Sequence, residues 1–254
     1  MPQFKNILIT GASSGIGEAL AKHYAACGAE NLFLCGRNTR RLSAVAKACR
    51  QNRNIRVHTK VLDITDRQAA AEWIRECEKL APLNLVFANA GVSTGAETAE
   101  NVYNTFETNI FGVLNTVLPT VEIYRNRPRQ SCRHIAVTSS IAGYHGLMTC
   151  PSYSASKACV KAWGEALRLS LRKEGINVSV ICPGFVRSRI TDQNTCPMPF
   201  FMEADQAAAV IADGINRNVG LIAFPWQMRF ISWLGAILPN WLSEFIYSRL
   251  PYKV

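Results

Sequence analysis

Short apolar runs alternate with longer helical patterns along most of the chain, and this alternation limits the fold more than any other feature. Ile7–Ile9, Asn31–Cys35, Ile55–Leu62, Leu83–Phe87, Arg133–Thr138, Asn177–Cys182 and Leu221–Phe224 have the length and composition of strands. Between them, Gly15–Cys27, Thr39–Arg50, Asp66–Leu80, Tyr103–Tyr124, Tyr153–Lys173 and Ala204–Asn216 have helical character. Strands that are apolar throughout are buried on both faces, so helices must cover both sides of a parallel sheet. The expected fold class is α/β, a doubly wound parallel sheet of about seven strands with right-handed crossovers. No repeat or linker interrupts the pattern. We therefore read one domain over residues 1–224, with residues 225–254 as a C-terminal extension packed on the same domain.

Charge narrows the partners. The 254 residues hold 28 Lys and Arg against 18 Asp and Glu, a net +10. Such an excess suits an anionic partner: nucleic acid, a membrane surface or a phosphorylated small molecule. The basic residues are dispersed and no nucleic-acid-binding motif occurs, so no nucleic-acid partner is expected. The nine cysteines are odd in number and form no Cys-x-x-Cys pair. That usage fits a reduced, cytoplasmic setting without structural zinc. His23, His58, His134 and His145 are scattered, and no metal site is expected. Met1–Lys5 leads straight into the first strand, with no basic-plus-apolar signal segment before it.

The first strand runs into Thr10-Gly11-Ala12-Ser13-Ser14-Gly15-Ile16-Gly17 and then a helix. Glycines at such a turn let the backbone approach a pyrophosphate, and the helix N-terminus offers free N–H groups and a positive dipole end. The second strand ends at Gly36, and Arg37 follows where an NAD-binding unit usually carries a carboxylate. A guanidinium there pairs with a 2′-phosphate, so NADP(H) is expected over NAD(H). Arg40 and Arg41 lie one helical turn on and can assist.

With these features in place, Lys5 to about Phe224 resembles the short-chain dehydrogenase/reductase family. The motifs occur in order: the Gly11–Gly17 loop; Asp63-Ile64; Ala88-Asn89-Ala90-Gly91, with Ala where the family usually has a first Asn; Asn109; Ser139-Ser140; Tyr153-x3-Lys157; and Pro183-Gly184. The resemblance implies a Rossmann-type fold and a hydride transfer between the nicotinamide and a carbonyl or secondary alcohol. It also implies a homodimer or homotetramer built on the two long helices. Asp63 and Ile64 would contact the adenine. Gly11, Ser13, Ser14, Gly15, Ile16, Gly17, Asn89, Ala90 and Gly91 would line the cofactor. Pro183, Gly184, Val186 and Ser188 would approach the nicotinamide end, Ser188 replacing the family's usual Thr.

The chemistry also follows from residue types. Tyr153 and Lys157 are spaced i, i+4 and share a helix face. A free phenol titrates at about 10, and a nearby ammonium with an oxidised nicotinamide is expected to lower it. Tyr153 can then act as acid or base. A serine hydroxyl can orient the carbonyl. The resemblance implies Ser140 for this role, with Ser139 as the second candidate. Asn109 resembles the residue that holds a water joining the lysine to solvent. The alternative is a dinucleotide-binding sensor or scaffold without turnover.

Ile141–Ser152 and Arg187–Met202 are expected to form the substrate pocket. Met198-Pro199-Phe200-Phe201-Met202 favours a lipophilic substrate. Two tail helices are expected, Trp226–Leu238 and Asn240–Leu250. Pro225, Pro239 and Pro251 cut the tail into pieces too short to span a bilayer. Three uses stay open for it: a cover for the active-site mouth, an oligomer contact, or a peripheral membrane contact.

Overall fold

The computed structural model describes residues 4–51, 54–128, 131–193 and 197–247. Its seven strands form one parallel sheet in the order β3-β2-β1-β4-β5-β6-β7. They are β1 Asn6–Thr10, β2 Asn31–Gly36, β3 Arg56–Val61, β4 Leu85–Ala88, β5 His134–Thr138, β6 Asn177–Pro183 and β7 Leu221–Phe224. The central strands β2, β4 and β5 are buried at every position, which explains their unbroken apolar runs. At the edge, β3 buries Val57 and exposes Arg56, Lys60 and Val61, as a strand with only one paired side does.

Helices cover both faces. On one side lie α1 Gly15–Ala26, α2 Thr39–Cys49 and α7 Ala204–Asn216, packed through Leu20, Leu42, Val45, Ile211 and Ile215 against Ile7, Ile9, Leu32 and Leu34. On the other lie α3 Arg67–Leu80, α5 Gly112–Arg125 and α6 Pro151–Arg172, packed through Trp73, Ile74, Val117 and Val160 against Leu8, Phe33, Val86 and Ile135. Helix starts are set by local chemistry. Asn38 accepts a hydrogen bond from the Arg41 N–H, and Asp66 accepts one from Ala69. Glu203 and Gln206 form a capping box at α7.

The helix expected over Tyr103–Tyr124 begins earlier and is not uniform. Thr98 caps α4, Ala99–Phe106, whose first turn is too polar to show an apolar stripe. A π turn over Glu107–Phe111 then joins α4 to α5. It inserts one residue into the ladder, which a repeating pattern cannot reveal.

The tail forms α8 Trp226–Ile237 and α9 Asn240–Tyr247; the expected extension to Leu250 lies outside the described residues. Packing of the tail on the domain is one-sided. Met228 joins Ile141, Tyr144, Val180 and Cys182, and Gly235 is buried, while the opposite side of α8 is exposed. No helix among the described residues is long and apolar enough to cross a membrane.

His134, at the start of β5, is buried and its imidazole hydrogen-bonds Ser179 Oγ at 2.9 Å. Burial, aided by Arg168, pushes its pKa down to about 4. The unfolded chain therefore binds a proton between about pH 6.5 and 4 that the native chain refuses, so stability falls as pH drops through that window. The expected loss is about 3 kcal/mol by pH 4. Urea unfolding at several pH values checks it: His134→Gln is expected to flatten this part of the profile.

Candidate active site

The strand order reverses direction between β1 and β4, and the crevice at the carboxyl ends of such strands is where open α/β sheets take ligands. A cleft of about 490 Å³ lies there. Its wall holds Gly11, Ser13, Ser14, Gly15, Ile16, Arg37, Asp63, Ile64, Asn89, Ala90, Gly91, Ser140, Tyr153, Lys157, Pro183, Gly184, Val186 and Ser188. Gly17 and Asn109 stand behind the wall.

The glycine loop fits because its backbone is crowded. Gly11 has φ +67°, and a Cβ there would lie 2.8 Å from Ala90 Cα. A Cβ at Gly17 would overlap the Gly11 carbonyl, so this glycine seats α1 under the loop. Ser14 precedes α1 without a side-chain cap, which leaves the first N–H groups of α1 to other partners. Thr10 organises the floor. Its hydroxyl donates to the Phe87 carbonyl at 3.1 Å and accepts from the N–H groups of Asn89 at 3.0 Å and Ala90 at 3.1 Å. Asn89 returns a bond to the Thr10 carbonyl and accepts one from Thr138 Oγ1. The ends of β1, β4 and β5 are thus tied side by side. A threonine closing β1 was visible in the sequence, but nothing there showed what its hydroxyl meets.

At the adenine end expected from the resemblance, Arg37 pairs loosely with Asp63, at 3.6 Å. Burial raises the Asp63 carboxyl, but hydrogen bonds from the Thr65 N–H and hydroxyl and the Arg37 charge outweigh it and hold the pKa below the usual range. Of the two assisting arginines, Arg41 lines the cleft and Arg40 is exposed away from it. Arg41 Nε is buried there with no partner among the described residues.

At the other end Ser140, Tyr153 and Lys157 converge. The Ser140 hydroxyl donates to the Pro183 carbonyl at 3.4 Å and accepts from the Ala142 N–H at 3.1 Å, and it stands on the same stretch of wall as the Tyr153 phenol. Ser139 instead donates its hydroxyl to the Lys157 carbonyl at 2.6 Å, which commits it to holding α6 on β5. Lys157 is buried, and its ammonium donates to the Thr138 carbonyl at 3.0 Å and lies 5.8 Å from the Tyr153 ring centre. Burial pushes Lys157 down to about 8. It pushes Tyr153 up to about 12, against the downward pull of the Ser140 hydroxyl. Desolvation dominates here, Lys157 is not among the groups that pull Tyr153 down, and the phenol holds its proton at neutral pH.

Asn109 lies on the π turn and is fully buried. Its amide donates to the Val92 carbonyl at 2.9 Å and Ser156 Oγ at 3.0 Å, and its Oδ1 accepts from the Val92 N–H at 2.8 Å. One amide proton is thus spent on shaping the loop after β4 and the other on Ser156 of α6. Asn109 Oδ1 and Lys157 Nζ flank one spot, each 3.2 Å from where a Cβ on Gly91 would sit.

The substrate segments need correction. His145, Leu147 and Met148 line a separate hollow beside Ser154, Ala155 and Ala158, on the far face of α6 from Tyr153 and Lys157. Phe200 is exposed, Phe201 lies under the Arg187 guanidinium, and Met202 packs into the main core and bridges to Val186. None of these lines the cleft; Tyr144, Leu147 and Met148 of the first expected segment wall the separate, largely apolar hollow instead. Arg189, Ile190 and Thr191, from the expected Arg187–Met202 segment, do line the cleft, and so do Val92, Ser93 and Thr94, which were missed. Thr191 is buried and its hydroxyl joins the Val186 and Ser188 backbone, which a loop sequence gives no means to foresee.

The residues present fit a dinucleotide: an open helix N-terminus beside a glycine loop, an unpartnered buried guanidinium nitrogen at one end, and a buried ammonium with donors to spare at the other. Comparison with known proteins agrees. Residues 5–197 match the family model for short chain dehydrogenases. The chain is 38% identical to an uncharacterized oxidoreductase of Myxococcus xanthus, over 97% of this chain and 98% of that protein. It superposes with a TM-score of 0.79 on a short-chain dehydrogenase of Sphingobium yanoikuyae in complex with NADPH, at 25% identity over 97% of this chain and 96% of that one. A short-chain dehydrogenase/reductase of Burkholderia phymatum in complex with NAD shares the fold, with a TM-score of 0.82 at 22% identity over 100% and 99% of the two chains. The chain belongs to the short-chain dehydrogenase family. It is an oxidoreductase, and its cofactor is a nicotinamide dinucleotide.

Proposed function

We propose that the chain is an NADP(H)-dependent oxidoreductase interconverting a carbonyl and a secondary alcohol. The observation that carries the reaction is the meeting of Ser140, Tyr153 and Lys157 at one end of the cleft. The dinucleotide supplies or accepts the hydride. Ser140 Oγ donates a hydrogen bond to the substrate oxygen and orients it. Tyr153, protonated at neutral pH because it is desolvated, gives its proton to that oxygen during reduction. The Lys157 ammonium faces the phenolate left behind and can bind ribose hydroxyls with its remaining N–H groups. Asn109 shapes the loop beside Lys157 and anchors a water above Gly91, which links the lysine to solvent.

The preference for NADP(H) rests on Arg37 and Arg41, which line the same cleft. The reaction unit is residues 1–224. Exposed Phe111 at the end of the π turn, Leu118 on α5 and Leu169 on α6 support a homo-oligomer built on these helices. A panel of ketones and aldehydes with NADPH and with NADH tests the reading. NADPH oxidation with some of them is expected, at a kcat/KM about tenfold or more above that with NADH. Tight NADPH binding without turnover would transfer the protein to the sensor reading, and a clear NADH preference would refute the cofactor assignment.

A further inference from the structure

The tail helix α8 has two unlike sides. Met228 and Gly235 face the body of the protein. Trp226, Phe230, Trp233 and Ile237, spaced to share one face, point the other way and are 72%, 54%, 49% and 57% exposed. A surface this apolar costs free energy in water unless something covers it. The only charged side chain in α8 is Arg229, exposed at the margin of that face. Trp241 continues the exposed aromatics into α9 at 71%.

Two observations identify what covers it. The first is charge. Residues 225–254 contain Arg229, Arg249 and Lys253 against Glu244 alone, on a chain of net +10. Arg229 beside exposed tryptophans suits an anionic lipid–water interface, where an indole keeps its N–H wet and its ring among acyl chains. The exposed Phe111, Leu118 and Leu169 already provide for a second copy elsewhere. The second is length. The 12-residue α8 and 8-residue α9 are too short to span a bilayer, so they lie along one.

We propose that the α8–α9 face docks on the surface of an anionic phospholipid bilayer. The placement has a consequence for access. Pro225, which opens α8, packs on Gly184, and Met228 packs on Ile141, both beside the Ser140–Tyr153 end of the cleft. Docking therefore sets the substrate end of the cleft near the lipid surface.

The test mixes the full chain with vesicles of phosphatidylcholine alone, or with about a third phosphatidylserine. The protein is expected to sediment with the anionic vesicles about tenfold more strongly than with the neutral ones, and to be released by high salt. Trp226→Ser/Trp233→Ser is expected to lose about tenfold or more of that binding. Brominated acyl chains should quench the unmodified chain, because Trp73 is buried, Trp163 packs against the core and the tail tryptophans are exposed. This readout does not depend on the variant folding. Absence of both sedimentation and quenching would overturn the proposal. So would a double variant that binds vesicles unchanged, or one whose only effect, by light scattering, is a smaller oligomer; the last result would assign the face to a second copy.

Discussion

Tyr153→Phe is expected to lower kcat by about 10³-fold or more while changing the dissociation constant for NADPH less than about threefold. Phe fills the same space and keeps the ring contact with Lys157, so the cleft keeps its shape. What disappears is the one proton placed beside Ser140 for transfer to the substrate oxygen. Ser140 cannot substitute, because a serine hydroxyl is a far weaker acid than a phenol. Rapid kinetics with NADPH and fluorescence titration of the binary complex separate the two quantities. Turnover within tenfold of the parent would refute the assignment of Tyr153.

Arg37→Ser/Arg41→Ser is expected to shift the ratio of kcat/KM for NADPH over NADH by about 10²-fold or more towards NADH. Each charge-assisted hydrogen bond to a phosphate contributes about 1.5–3 kcal/mol, and about 1.4 kcal/mol is tenfold. The parent loses little by committing Arg37 to a phosphate. Its pairing with Asp63 is long and more than half exposed, and such pairs contribute at most about 1 kcal/mol. Arg40→Ser is the control, since Arg40 points away from the cleft. Steady-state kinetics with both cofactors decide it; an Arg40 effect equal to that of Arg41 would refute the geometry.

The difference between Arg40 and Arg41 shows how sequence and structure divide the information. Asn38 as N-cap sets the phase of α2, and one residue of slip turns a side chain about 100° around the helix. The sequence marked a basic turn there, but only the packed helix selects Arg41. The buried strands and the Tyr153–Lys157 spacing were readable because burial and helical period leave regular traces in residue order. Thr191, Thr10 and Met202 left none, because each is defined by partners distant in sequence or by the path of an irregular loop. The tail was half readable. Its apolar spacing predicted a shared face for Trp226, Phe230, Trp233 and Ile237, but not that this face points outward.

The π turn at Glu107–Phe111 has a consequence for what changes this chain can absorb. The extra residue is a phase adjuster between two stretches of helix. Upstream it turns Thr105 inward, and downstream Thr116 and Thr120. Removing one residue would let the α-helical ladder close without interruption and rotate α4 about 100° relative to α5. Asn104 would turn into the buried place of Thr105, and Val92 would lose the Asn109 amide that holds its loop. Conservative substitutions within these five positions leave the count intact. An insertion or deletion does not, so here the number of residues is constrained more tightly than their identity.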